Sequence, residues 1–94
     1  MIRNNKVNKE VIVNKLIYTY PDAIENDNGI LNFDETISNF AECIWRDFDT
    51  ERQNYHFNTQ FASQEDCERW LKDNLDCIYD ICQEFINTNN LEND

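Results

Sequence analysis

The hydrophobic positions of the N-terminal stretch predict an amphipathic helix between about Asn8 and Tyr20. Placed at 100° per residue, they share one arc of about 140°, and they are Ile12, Val13, Leu16, Ile17 and Tyr20. Asn8 is a suitable N-cap, and Pro21 would stop the helix. The β-branched run at residues 11–13 also suits a strand, so both interpretations of this stretch stay open.

A loop and a second helix are predicted next. The Asn28-Gly29 pair is a turn signal, which predicts a loop over residues 21–29. Asn32 and Glu35 have the spacing of a capping box, so a helix is expected to begin near Asn32 and to end near Thr50. Its apolar face follows an i, i+3, i+4, i+7 pattern and consists of Ile37, Phe40, Ala41, Ile44, Trp45 and Phe48.

The clearest helical pattern lies in the C-terminal third, after Ser63 and up to about Asn87. Its broad apolar face consists of Cys67, Trp70, Leu71, Leu75, Ile78, Ile81, Cys82, Phe85 and Ile86. Asn74 falls within that face, either as a buried amide that fixes helix register or as a partly exposed residue at a helix crossing. Before this helix, alternating aromatic residues predict a short strand or an extended connector near residues 54–61.

These patterns predict a mainly α, compact three-helix domain over residues 1–94, with flexible ends at residues 1–6 and 88–94. A chain of 94 residues has room for one modest core, and an aromatic content of 13% argues against disorder. No apolar run approaches the roughly 18 residues that span a bilayer, and no signal-peptide pattern is present. We therefore expect no membrane association and a cytoplasmic location, in the host cytoplasm if a phage encodes the chain.

The sequence offers no recognisable catalytic chemistry. It lacks GxxxxGK[ST], GxGxxG, HExxH and GxSxG motifs, so we expect no enzymatic activity, no catalytic residues and no cofactor. Its four cysteines form no CxxC pair and it has a single histidine, which disfavours a metal site. Cys67 and Cys82 are expected in the core, whereas Cys43 falls opposite the apolar stripe of its helix and is expected to be exposed.

Charge is the most informative property of the chain, whose net charge is −11. Residues 1–15 hold four basic residues and one acidic residue, so the excess of acid lies in the remainder. One predicted acid row, on the third helix, consists of Asp73, Asp76, Asp80 and Glu84, and another, on the second helix, consists of Glu35, Glu42 and Asp49. Such rows oppose helix stability slightly, because like charges repel one another. One explanation is that the acids only keep the protein soluble. The other is that they imitate the phosphates of a nucleic acid.

A short acidic chain with few glycines and such rows resembles, as a class, the small inhibitors of phages and mobile elements, including anti-CRISPR and anti-restriction DNA mimics. The resemblance implies an inhibitor that blocks the basic nucleic-acid groove of a CRISPR nuclease or restriction enzyme. Such a protein would not bind nucleic acid directly. Both acid rows would then pair with target Lys or Arg residues, and Tyr55 or Tyr79 would supply an aromatic anchor.

Two other functions fit the same sequence. The chain could be an immunity protein or antitoxin that neutralises a basic toxin by covering its active site. It could instead be a helical scaffold or homodimer that self-associates through Asn74 and the apolar face of the third helix. An adjacent toxin gene would favour the first of these, and a strictly monomeric state would remove the motivation for the second.

Overall fold

A computed structural model of the chain describes residues 5–47 and 61–93. In these residues the chain forms four α-helices, a short 3-10 turn at Pro21–Ala23 and a small antiparallel hairpin. The helices are α1 (Asn5–Thr19), α2 (Phe33–Arg46), α3 (Gln64–Asn74) and α4 (Ile78–Asn93), and the strands are β1 (Asn26–Asp27) and β2 (Ile30–Leu31). The mainly α fold class is therefore confirmed, although the described helices number four and the prediction was three.

The first helix and the turn after it follow from local sequence. α1 begins at Asn5, earlier than predicted, and Pro21 lies directly beyond its end. At the hairpin tip, Asn28 has a φ of 53° and Gly29 a φ of 89°, both in the left-handed region that an Asn-Gly pair adopts readily. The turn prediction is confirmed, and the two short strands that flank it were not predicted.

α2 begins as predicted and ends early. The side-chain oxygen of Asn32 accepts a hydrogen bond from the Glu35 amide at 3.2 Å, which satisfies one of the free N–H groups of the first turn. The helix ends at Arg46, short of the predicted Thr50. Trp45, which was predicted on the apolar face, is exposed, because it lies about 110° around the helix from the middle of the buried face.

The predicted third helix is two helices, which is the main correction to the predicted architecture. α3 ends at Asn74, a turn occupies Leu75–Cys77, and α4 begins at Ile78 and continues to Asn93, through the region predicted to fray. The break lets α3 pack against α2 while α4 packs against α1 and β2. The single straight helix that was predicted, ending near Asn87, would be about 36 Å long and could not pack against both sets of partners.

The core is built from the predicted apolar faces, together with the turn between α3 and α4. Val13, Leu16, Ile37, Phe40, Ala41, Ile44, Cys67 and Leu71 are fully buried, and Leu75, Ile78 and Cys82 are almost so. Phe61 is buried and makes an edge contact with Trp70, with ring centroids 6.0 Å apart. The rest of the predicted strand or connector, residues 54–60, lies outside the described residues.

Candidate acidic interaction surface

The bend between α3 and α4 determines how the predicted acid row is displayed. Asp73 lies in the last turn of α3, Asp76 lies in the connecting turn, and Asp80 and Glu84 lie on α4. All four side chains are exposed. Asp80 and Glu84 are one helical turn apart, about 6 Å along the axis. The four acids are therefore exposed along two helices and the turn that joins them, and the prediction that they form a row on one helix is wrong.

The basic N-terminal segment contacts this bend. Lys9 Nζ lies 3.6 Å from Asp76 Oδ1, so α1 is joined to the turn by an ion pair. The two elements enclose an open cleft of about 360 Å³, which is lined by Lys9, Glu10, Asp76, Cys77 and Asp80. Asp76 is thereby partly neutralised, whereas Asp73, Asp80 and Glu84 form no ion pair with any residue in 5–47 or 61–93.

Two contacts bring the start of α2 to the same end of the molecule. Lys72 Nζ, in the last turn of α3, lies 3.7 Å from Asp34 Oδ1 and 3.7 Å from Glu68 Oε2. The rings of Phe33 and Tyr79 are tilted by 46° with centroids 5.7 Å apart. Tyr79 remains 45% exposed, which is the state required of an aromatic anchor. Tyr55, the other predicted anchor, lies outside the described residues.

The second predicted acid row is on a different surface. Glu35 and Glu42 are exposed and lie about 10.5 Å apart along α2, on the side of the helix opposite its buried residues. Asp34, which contacts α3 through Lys72, lies about 100° around the helix from Glu35. Asp49, the third member of this row, lies outside the described residues. The geometry therefore does not join Glu35 and Glu42 to the acids of the α3–α4 bend.

The cysteines are free thiols without a common site. Burial raises the pKa of Cys67 and that of Cys82 to about 12, as expected for core residues. Burial also raises the pKa of Cys77 and that of Cys43, and Cys43 is half-buried, not exposed as predicted. Within the described ranges, no group of three or more His, Cys, Asp or Glu side chains is arranged to hold a metal ion.

Asn74, the other polar residue singled out in the sequence, has a local structural role. It is the last residue of α3, it is half-buried, and its side-chain amide donates to the Trp70 carbonyl at 3.1 Å. This bond lies within the last turn of the helix and satisfies the side-chain amide locally. The interpretation of Asn74 as a partly exposed residue at a helix crossing therefore describes it better than a buried register amide.

Sequence reasoning missed several members of the surface. Lys9, Phe33, Asp34 and Lys72 join elements that are distant in the chain, and their local sequence carries no signal of these contacts. The excess of basic residues near the N-terminus is the one sequence signal that could have pointed to a contact between this segment and an acidic region of the same fold.

No protein-family model matches the chain, no curated protein matches its sequence, and no solved structure matches it. None of the helices in the described part of the chain has the length and apolarity needed to cross a membrane. The geometry and charge of the surface are therefore the features that bear on the function.

Proposed function

We propose that this protein is a non-enzymatic inhibitor of the kind that phages and mobile elements encode, acting in the cytoplasm on a nuclease or CRISPR effector. The surface that would enter the basic nucleic-acid-binding groove of the target consists of Asp73, Asp76, Tyr79, Asp80 and Glu84, and we call it the junction surface. Its carboxylates would take the places of phosphates and pair with Lys and Arg residues of the groove.

The position of Asp73 is the observation that carries this proposal. Acids near a helix N-terminus need no functional explanation, because the helix dipole favours them there, and this applies to Asp34, Glu35 and Asp80. Asp73 is in the last turn of α3, where the dipole disfavours negative charge, and no described residue pairs with it. An exposed carboxylate that the helix dipole disfavours adds nothing to helix stability, and we assign it to target binding.

Tyr79 supports the same conclusion. Its ring is held by Phe33 and yet nearly half of its surface is open to solvent, directly beside Asp80. Interfaces between proteins commonly place a rigid aromatic residue at the centre and charged residues around it. Tyr79 would provide the desolvated contact, while the surrounding carboxylates would accelerate association by electrostatic steering.

The experiment is an affinity capture from lysate of the host cell, using the tagged full chain at low and high salt, with added DNA or guide RNA as competitor. The expected result is retention of a nucleic-acid enzyme that is released by salt and by nucleic acid. The purified enzyme should then lose nucleic-acid binding when the protein is added. Capture of a toxin whose binding is indifferent to nucleic acid would overturn the mimicry and favour an immunity protein.

A pair of charge-matched variants makes this test specific to the junction surface. D73N/D80N removes two negative charges from that surface, and D22N/E65Q removes two from exposed positions elsewhere. Only the first variant should weaken target binding, by about tenfold or more if each charge contributes about 1 kcal/mol. Equal weakening by both variants would indicate a non-specific effect of net charge and would contradict the proposal.

A further inference from the structure

The side of α1 that faces away from the core carries exposed apolar residues. Val11 is 53% exposed and Tyr18 is 87% exposed, whereas Val13 and Leu16 on the same helix are fully buried. Val11, Asn14 and Tyr18 are spaced by three and four residues, which is the spacing of a and d positions in a coiled coil. We call these three residues the α1 seam, which the described part of the chain leaves open.

Two oppositely charged residues flank the α1 seam. Glu10 and Lys15 lie on its two sides, each about 70° from its centre. They are five residues apart, the separation of the g and e positions that pair between the helices of a parallel coiled coil. The flanks are therefore complementary to a second copy of the same helix in parallel orientation, since each copy supplies both an acid and a base.

Neither charge is paired with a described residue of the same copy. Lys15 forms no ion pair with a described residue, although Lys9 and Lys72 each pair with an acid. Glu10 lines the cleft that also contains Asp76 and Asp80, where Lys9 is the one basic residue in the lining and is already paired with Asp76. A second base beside Glu10 would relieve this crowding of negative charge.

We propose that the α1 seam is the interface of a parallel homodimer. Val11, Asn14 and Tyr18 would each face the same residue of the second copy, and each Glu10 would pair with Lys15 of the second copy. This arrangement is isologous and closed, as most homodimers are. The interface lies outside the junction surface, so the proposal does not depend on the proposed function, and it differs from self-association through the third predicted helix, whose apolar face is used in the core.

The overall charge also favours this site of contact. Two copies with a net charge of −11 repel one another, and most of the acidic residues lie beyond residue 15. Contact through the outside of α1 places the acidic bodies on opposite sides of the dimer, where salt screens charges separated by more than about 8–10 Å. A single short helix provides a small interface, so we expect a dissociation constant in the micromolar range.

The first test is sedimentation equilibrium of the full chain over a wide range of concentrations. The wild type should form dimers reversibly, and V11S/Y18S should raise the dissociation constant about tenfold or more. I30S is the control, because it also removes an exposed apolar side chain, at a position outside both the α1 seam and the junction surface, and it should leave the dissociation constant unchanged. A wild type that stays monomeric throughout, or a dimer insensitive to V11S/Y18S, would overturn the proposal.

A charge exchange tests the parallel register. K15E places two acids on the flanks and should weaken the dimer about fivefold at low salt. The double variant E10K/K15E exchanges the two charges and should restore the wild-type dissociation constant, because the pair is re-formed with opposite polarity. Circular dichroism shows whether each variant retains its helices. Failure of the double variant to restore dimerisation while remaining folded would overturn the parallel register.

Discussion

The turn at Asn28-Gly29 and the turn at Leu75–Cys77 both change the direction of the chain, and different forces hold them. The hairpin turn depends on backbone conformation and a local hydrogen bond. Two residues have positive φ, and the side-chain oxygen of Asn26 accepts a hydrogen bond from the backbone N–H of Gly29 at 3.1 Å. The turn between α3 and α4 begins with buried Leu75 and is followed by buried Ile78. The first is specified by local sequence and the second by packing.

The two turns also differ on their outer sides. Gln83 of α4 hydrogen-bonds to the hairpin: its side-chain oxygen accepts from the Leu31 amide at 2.9 Å, and its side-chain nitrogen donates to the Gly29 carbonyl at 2.9 Å. The turn between α3 and α4 presents Asp73, Asp76 and Asp80 outward. Polar groups therefore stabilise the hairpin. At the second turn, Asp76 pairs with Lys9 and Asp80 has a position that the helix dipole favours, so Asp73 is the carboxylate that lacks a stabilising contact with the described residues.

The largest effect on stability should come from removing packing at the second turn. L75A deletes a buried side chain and should lower the free energy of unfolding by about 2–5 kcal/mol, as measured by urea denaturation. The control, I30A, truncates an exposed residue of the hairpin and should change that free energy by no more than about 0.5 kcal/mol.

A domain of this size can unfold outright when it loses so much stability, so the milder I78V accompanies L75A and should remove about 0.5–1.5 kcal/mol. If both variants unfold like the wild type, the turn is not anchored by packing.

The next largest effect should come from Gln83. Q83A leaves the Leu31 amide and the Gly29 carbonyl without their partner, which should lower the free energy of unfolding by about 1–3 kcal/mol. The neighbouring E84A serves as control, because Glu84 is exposed and pairs with no described residue. Hydrogen exchange at the Leu31 amide should accelerate in Q83A and remain unchanged in E84A. Unaltered protection in Q83A would contradict the role assigned to Gln83.

The backbone requirement of the hairpin turn can be tested at Gly29. With a φ of 89°, this residue lies where a Cβ atom is unfavourable, so G29A should lower the free energy of unfolding by about 1–2 kcal/mol. N28G places a more permissive residue at the other positive φ and should change stability much less. Thermal unfolding of both variants checks this, and an equal loss in the two would count against a local origin of the turn.

The contrast between the turns explains how far the sequence predicts the fold. The turn at Asn28-Gly29 and the cap at Asn32 were predictable because they depend on local backbone conformation and on a hydrogen bond that spans three residues. The break after Asn74 was not, since neither Gly nor Pro marks it and Leu71, Leu75, Ile78 and Cys82 keep helical spacing across it. Their burial is compatible with one helix or two, and only the positions of α1, α2 and β2 decide between these.

The same limit applies to the candidate surface. The exposure of Asp73 and Asp80 followed from helical periodicity, which places them opposite the buried positions. Their arrangement around a bend did not, and neither did the ion pair of Lys9 with Asp76, because contacts between distant elements depend on the tertiary fold. The acids were therefore predictable as exposed residues, whereas the shape of the surface was not.

The smallest predicted effect, and the one that bears most directly on function, has the opposite sign to the others. D73N removes a negative charge from the C-terminal turn of α3 and should raise the free energy of unfolding by about 0.3–1 kcal/mol at low ionic strength. D80N, in the first turn of α4, removes a charge that the dipole favours and should lower it by a similar amount. Both changes should shrink as salt is added, and urea denaturation at two salt concentrations measures them. A D73N variant that is more stable and binds its target less tightly would identify Asp73 as a residue that favours binding at the expense of stability, whereas a destabilised D73N would remove the observation on which the inhibitor proposal depends.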